Sequence, residues 1–430
     1  MSHLIVISSD AMVGEDLEYF KTTRAYQMIF QGGAEITGVS SIYPSVTLPA
    51  HATMITGMYP EHHGIFSNML LKPGSDPTPW QMDYELLQCT DIFRAAKAAG
   101  KTTASVFWPV TVNNPAIDYH IADYWREDKS ETVMELFART GSSPEVLEIA
   151  SKHLHLLPED EKLHPYRDDF GMACVCDIIR KFRPDVLFTH PANIDADRHA
   201  KGVFGPHLKD AIDRMAGWLC DIWQAVMDAG MEDDTDIFLV SDHGQRDVRR
   251  NISLNVLLAE NGFITLDECG GIAHWDAYCL SNGMSAVVFL RDPEDEALHS
   301  RVYNFLRGLL DQEVYGFSRI YPEAEAREEE HFGGPFSFVL ETDGYTSFSD
   351  YLTRPLVRDL SNEDYRFGTA THGYLPKFGP HPMLLAKGPS IRENMVLSGN
   401  HIVNEAPTYA KILGAELPGT DGSPILEILK

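Results

Sequence analysis

The segment Ile237-Phe238-Leu239-Val240-Ser241-Asp242-His243-Gly244 carries the pattern from which the architecture follows. A short, strongly apolar run that stops at a small residue, an acid and a histidine has the length of a strand buried on both faces. Its polar residues then collect at the strand's carboxyl end. The same pattern occurs at Leu4–Ile7 before Ser8-Ser9-Asp10, and at Asp185–Phe188 before Thr189-His190. Amphipathic stretches separate these runs at Asp91–Ala99, Phe170–Phe182 and Pro206–Asp228. In the last, Leu208, Ile212, Met215, Leu219, Ile222 and Val226 recur at helical spacing, so that stripe is core and the charges form a solvated face. Alternating buried strands and amphipathic helices predict an α/β fold, a mostly parallel central sheet flanked by helices.

Two regions fit the alternation poorly. Residues 115–168 are polar and acidic and predict surface helices and loops. Residues 265–365 mix strand-like Ala286–Leu290 and Phe336–Leu340 with the acidic run Glu323–Glu330. They lie between two parts of the candidate site, so the chain is expected to form one catalytic domain, 1–430, with 265–365 inserted as a cap. The acidic run itself reads as solvated surface.

The 430 residues carry 35 Lys and Arg against 63 Asp and Glu, a net charge of −28. Nucleic-acid polymers and anionic membranes both require a basic face, so neither is expected as a partner. A small anionic substrate responds to a local field and is not excluded. The first apolar run is too short for a signal peptide and no later run has membrane-spanning length. None of the six cysteines forms a C-x-x-C pair, so reduced thiols and a cytoplasmic location are expected.

Ligands of open α/β sheets gather at the carboxyl ends of the strands. There the sequence delivers Asp10, then Asp242 and His243, and after a short loop Asp195 and His199, whose spacing of four puts both on one helical face. His372 lies in the Gly-flanked segment Thr371-His372-Gly373. Three Asp and three His provide mixed oxygen and nitrogen ligation suited to zinc or a similar first-row ion, in the number two ions require. The candidate nucleophile is Thr47, which precedes Leu48-Pro49 and is expected to cap a helix. A Thr hydroxyl needs its alkoxide stabilised; a metal ion and the positive end of a helix both do this.

These residues resemble a known family. Asp10, Thr47-Leu48-Pro49, Thr56-Gly57 through His62-His63-Gly64, Asn68, Asp195-x-x-x-His199, Asp242-His243-Gly244 and His372-Gly373 stand in the order of the alkaline phosphatase superfamily. Within it they look most like type I phosphodiesterases/nucleotide pyrophosphatases. Phe107-Trp108-Pro109 is similar to that family's Phe-Trp-Pro-Gly stretch, with Val110 in place of Gly, and Ala406-Pro407-Thr408 through Asp421-Gly422 is similar to the superfamily's C-terminal helix and turn. The resemblance implies an alkaline-phosphatase-like fold and two Zn2+ ions. Asp195, His199 and His372 would hold one; Asp10, Thr47, Asp242 and His243 would hold the other. Asn68 and the Thr47 N–H would contact a phosphoryl oxygen.

The implied reaction is in-line hydrolysis of a phosphodiester or phosphoanhydride, nucleotide-like, through a phosphothreonine intermediate on Thr47. Leu48 replaces the Phe that nucleotide-hydrolysing members carry, and His190 replaces an aromatic residue. With Trp108, these two are the candidate substrate contacts. A phosphomonoesterase would need a further cation, for which Lys72, Arg126 and Lys129 are candidates. A phosphonoacetate-type phosphonate hydrolase shares the ligand set. A metal-stabilised, non-catalytic binding protein would be expected to have lost a ligand or the nucleophile, and neither is missing. His62-His63 falls in the family's Pro-x-x-His-Gly turn, where a structural role is expected.

Overall fold

A computed structural model describes residues 3–75, 78–361 and 368–430. Residues 1–2, where the N-terminal reading begins, and 362–365 of the expected cap lie outside these. An eight-stranded sheet organises the chain. Its order is Met395–His401, Ala34–Ser40, Leu384–Lys387, Thr235–Val240, His3–Ser8, Val186–Thr189, Thr103–Val106 and Tyr119–Ile121. Leu384–Lys387 runs antiparallel to both neighbours, and the remaining pairs are parallel.

The three strands legible in the sequence are adjacent at the centre. Ile7 lies opposite Leu239 on one side and Thr189 on the other, so the three chains end level. Alternation sends successive residues to opposite faces. Ile5 and Ile7 join the core that includes Ile212, Met215 and Leu219 of helix Leu208–Asp228, with Phe170 of helix Tyr166–Phe182. Leu4 and Val6 join the core under helices Thr47–Thr56 and Glu405–Leu413, with Met54, Ile55 and Tyr409.

Residues 115–168 are more than surface. Tyr119–Ile121 forms the sheet's edge strand, and Val146, Ile149 and Ala150 of helix Pro144–His153 are buried. A strand of three residues is too short to show a period in sequence.

A second, antiparallel sheet has the order Ala277–Ser281, Ser285–Leu290, Phe338–Thr342 and Phe317–Pro322, backed by helix Glu296–Leu310. The strand read at Phe336–Leu340 starts two residues later, because Phe336 packs against Phe66 and Phe332 instead of entering the ladder. Glu323–Glu330 is a helix with only Ala326 buried. Its acids pair locally, as in Arg319–Glu329 at 2.9 Å and Arg327–Glu323 at 2.6 Å. The six cysteines are free, and among the described residues no helix is long and apolar enough to cross a membrane.

Candidate active site

Level strand ends bring Asp242, Asp10 and His190 side by side just past three neighbouring strands. The Ala11 N–H donates to Asp242 Oδ1 at 3.2 Å, and Ala11 holds a positive φ of 56° directly after Asp10. Asp195 and His199 lie on helix Asn193–Lys201, which follows the Val186–Thr189 strand. His372 follows the two-residue strand Ala370–Thr371, which pairs with Arg246–Asp247 just beyond His243.

Three ligand-like groups result among the described residues. Asp195, His199 and His372 form one and Asp10, Asp242 and His243 a second, the two expected from the sequence; His51, His190 and Asp242 form a third that shares Asp242 with the second. In each, one ligand atom per residue lies within 4.8 Å of the others. His199 Nδ1 donates to the Ala370 carbonyl at 2.7 Å, leaving Nε2 to face Asp195 Oδ2 at 3.3 Å. His243 Nε2 is 3.1 Å from Asp242 Oδ2, 3.6 Å from Asp10 Oδ1 and 3.2 Å from Thr47 Oγ1. His243 and His372 face each other with ring centres 4.2 Å apart.

Burial dominates the electrostatics. It raises the carboxyls of Asp10 and Asp242 well above the usual range, and Asp195 and Asp10 respectively add to this through like-charge repulsion. Burial pulls the imidazoles down, His243 to about 4 and His372 well below its ordinary value. Asp195 moves the other way: burial opposes its charge, but His199, His372 and His243 outweigh burial and hold it well below the usual range. Asp10 Oδ1, Asp242 Oδ2, His243 Nδ1 and His372 Nδ1 are buried without a hydrogen bond among the described residues. Neutral imidazoles beside buried, under-bonded carboxylates are the donor set a divalent cation satisfies, so these residues fit such ions.

Thr47 is the first residue of helix Thr47–Thr56, and its cap is Val46. The expected capping role is therefore displaced by one residue, to Val46, and the Thr47 hydroxyl contacts His243 Nε2 at 3.2 Å. From 41 to 57 every residue is buried except Thr47, which is half-buried. Asn68 Oδ1 accepts from the Leu48 N–H at 2.8 Å, so the amide's NH2 end remains as a donor beside the helix N-terminus.

The three residues read as substrate contacts offer little surface. Trp108 is wholly buried, its ring edge-on to His51 and Phe188, which is the placement of a core residue. Leu48 is also buried, packed with Met82 and Val110 against half-buried Trp80 and Trp125. His190 is buried, and its Nε2 contacts Asp10 Oδ2 at 3.0 Å. Arg126 is committed to Glu161, and Lys129 stands 3.7 Å from the same carboxylate, so both are held away from a phosphoryl group. His63 contacts Thr53 Oγ1 at 3.1 Å and His62 contacts Asp421 at 2.8 Å, which are structural ties.

Two polar residues of the site carried no reading in the sequence. His51 Nδ1 donates to the Thr47 carbonyl at 2.8 Å and its Nε2 meets Ser8 Oγ at 2.9 Å. Its spacing of four from Thr47 on one helix was the available signal. Gln245 Nε2 donates to Asp195, reaching its carbonyl at 3.1 Å and its carboxylate more closely; proximity to Asp242-His243 was its only sequence mark. Two glycines are sterically required. A Cβ at Gly373 (φ 98°) would lie 1.7 Å from the Asn282 carbonyl, and one at Gly244 2.3 Å from the Pro380 carbonyl.

The family model for type I phosphodiesterase/nucleotide pyrophosphatase matches residues 4–373. Ectonucleotide pyrophosphatase/phosphodiesterase 1 of Saccharomyces cerevisiae is 22% identical over 372 residues, 81% of this chain and 47% of the relative. A Caenorhabditis elegans ectonucleotide pyrophosphatase/phosphodiesterase is 23% identical over 420 residues, 96% of this chain and 47% of the relative. The chain thus spans about half the length of these curated relatives. Among solved structures, murine ectonucleotide pyrophosphatase/phosphodiesterase 5, an inactive variant in complex with AMP, superposes with a TM-score of 0.69 at 17% identity, covering 100% of both chains. That likeness establishes the alkaline-phosphatase-like fold.

Proposed function

The chain belongs to the type I phosphodiesterase/nucleotide pyrophosphatase family, and from that premise we propose that it hydrolyses small phosphodiester or phosphoanhydride substrates with Thr47 as nucleophile. The observation that carries this reading is the placement of Thr47. It is the one half-exposed residue of a buried segment, at a helix N-terminus, with its hydroxyl 3.2 Å from His243. A Thr spent on capping would not be free for chemistry.

Asp195, His199 and His372 would hold one zinc or similar ion, and Asp10, Thr47, Asp242 and His243 a second. Such ions supply Lewis acidity at the entering and leaving oxygens and lower the hydroxyl pKa. Two dications against three carboxylates leave about +1 before Thr47 ionises, so an anionic ester is attracted into an acidic protein. Thr47 Oγ1 attacks phosphorus in line as the bond to the leaving oxygen breaks, and water then releases the phosphoryl group from Thr47. The Asn68 amide and the first-turn N–H groups meet the charge on the equatorial oxygens. Asn68→Ala should lower kcat about 10²–10³-fold with metal content unchanged; unaltered kcat would remove Asn68 from this role.

His190 supports the second ion site from behind through Asp10. His190→Phe keeps the ring shape and deletes that contact. Chelator competition should then show metal affinity lower by about 10–100-fold. Wild-type affinity would make His190 dispensable. Aromatic surface for a planar leaving group comes from Trp80 and Trp125, whose rings meet edge-to-face at 5.3 Å beside Leu48. The substrate class is tested by side-by-side turnover of bis(p-nitrophenyl) phosphate and p-nitrophenyl phosphate. Preference for the diester is expected; a strong monoester preference would overturn it.

A further inference from the structure

Glu341 is a carboxyl that the reaction above does not use. It sits on strand Phe338–Thr342 of the second sheet, 2% exposed, and touches both loops of the site. Its Oε2 meets the Tyr43 hydroxyl at 2.8 Å, and its Oε1 accepts from the Leu375 N–H at 3.2 Å. Tyr43 opens the segment Tyr43-Pro44-Ser45-Val46-Thr47, and Leu375 stands three residues after His372. Ser45 joins the same two loops: its hydroxyl donates to the Tyr374 carbonyl at 2.7 Å and its own carbonyl accepts from the Gly373 N–H at 2.9 Å.

We propose that Glu341 is a positioning residue for this reaction: one carboxyl on the second sheet holds the loop carrying Thr47 and the loop carrying His372 in fixed relation. The proposal rests on the reading of Thr47 and His372 given above. Nucleophile and opposite ligand group must stay aligned within a fraction of an ångström, and a shift of about 1 Å costs roughly 10²-fold in rate.

The surroundings give this tie a pH dependence. Tyr43 faces Glu341 from the nucleophile loop, Tyr321 from strand Phe317–Pro322, Glu330 from the end of the acidic helix and Arg246 from beside His243. Burial pushes the carboxyl up and Glu330 adds to that, while the Tyr43 and Leu375 hydrogen bonds and Arg246 pull it down; the balance lies at about 8. Burial places the Tyr43 phenol well above its ordinary value, so it stays neutral throughout. At neutral pH Glu341 is therefore a neutral acid that bridges two polar groups. Above pH 8 it puts a charge into a pocket walled by Tyr321 and Phe332, which pack on Tyr43.

The sign follows. A carboxyl whose folded pKa is about 8 binds a proton more tightly when folded than when unfolded. Its stabilisation is full below the unfolded value and is lost as pH rises through 8. Glu341→Gln keeps both hydrogen bonds, accepting from Leu375 and donating to Tyr43, and cannot ionise.

The test compares wild type, E341Q, E341A and Y43F in metal content, in kcat against pH for bis(p-nitrophenyl) phosphate and in Tm against pH. E341Q should keep kcat within about threefold at pH 7 and lose the component of the alkaline decline centred near 8. Wild-type Tm should fall relative to that of E341Q from the ordinary carboxylate range up to about pH 8 and level off above it. E341A should lower kcat about 10–100-fold at unchanged metal content. Y43F removes a bond that lowers the carboxyl pKa, so its alkaline limb should move to higher pH; E341Q and Y43F carry the test if E341A does not fold. Parallel kcat and Tm profiles for wild type and E341Q, or wild-type kcat in E341A, would overturn the tie. A wild type that turns over no phosphoester would overturn the functional reading instead, and the Tm comparison would still decide whether Glu341 carries its titration.

Discussion

Thr47→Ala should abolish the proposed phosphodiester hydrolysis, by at least about 10⁴-fold, the scale on which removing a nucleophile acts, while fold and metal content should be retained. The fold should persist because Val46, not Thr47, occupies the cap position of the helix. The metal should persist because Asp10, Asp242 and His243 converge without it. What the substitution removes is the oxygen that the proposed covalent intermediate requires. Thr47→Ser restores a hydroxyl at the same position and should recover measurable turnover. Steady-state rates with metal analysis on the same samples check this, and an active T47A protein would discard the covalent route.

Asp242→Ala should have the next largest effect, a loss of about 10³-fold or more, equivalent to several kcal/mol of charge stabilisation at the reacting oxygens. Its carboxylate accepts from the Ala11 N–H through Oδ1, and its Oδ2 stands 3.1 Å from His243 and 3.5 Å from His51. The substitution would remove a proposed metal ligand and also the carboxylate beside His243, whose Nε2 faces the Thr47 hydroxyl. Metal content should fall by one ion, with the Asp195, His199 and His372 group intact on the far side. Full occupancy with wild-type turnover would show that Asp242 is no ligand.

These predictions use residues that were readable in the chain for a physical reason. Asp10, Asp242 and His190 follow strands whose apolar runs are continuous because both faces are buried, so the carboxyl end of each strand could be located to a residue or two. Asp195 and His199 were readable through helical spacing. Trp108 admitted both a core and a pocket-wall reading, because an aromatic in a motif has the same appearance whether it faces a ligand or the core; here it fills space against His51 and Phe188. The helix boundary at Thr47 was one residue off, since capping depends on backbone angles that composition does not encode. His51, Gln245 and Glu341 act through contacts across 43, 50 and 298 residues of sequence. No local pattern marks such pairs. The second sheet was partly visible as apolar runs, but its hydrogen-bonded tie to the site belongs to tertiary structure alone.

Metal dependence of the proposed phosphodiester hydrolysis is open to direct measurement. The direct measurement is to strip the protein with chelator, titrate Zn2+ back and follow bis(p-nitrophenyl) phosphate turnover with bound metal. Activity should be absent from the stripped protein and return in step with occupancy, saturating near about two ions per chain. Undiminished turnover by metal-free protein, or full occupancy with no hydrolysis of any phosphoester, would contradict it.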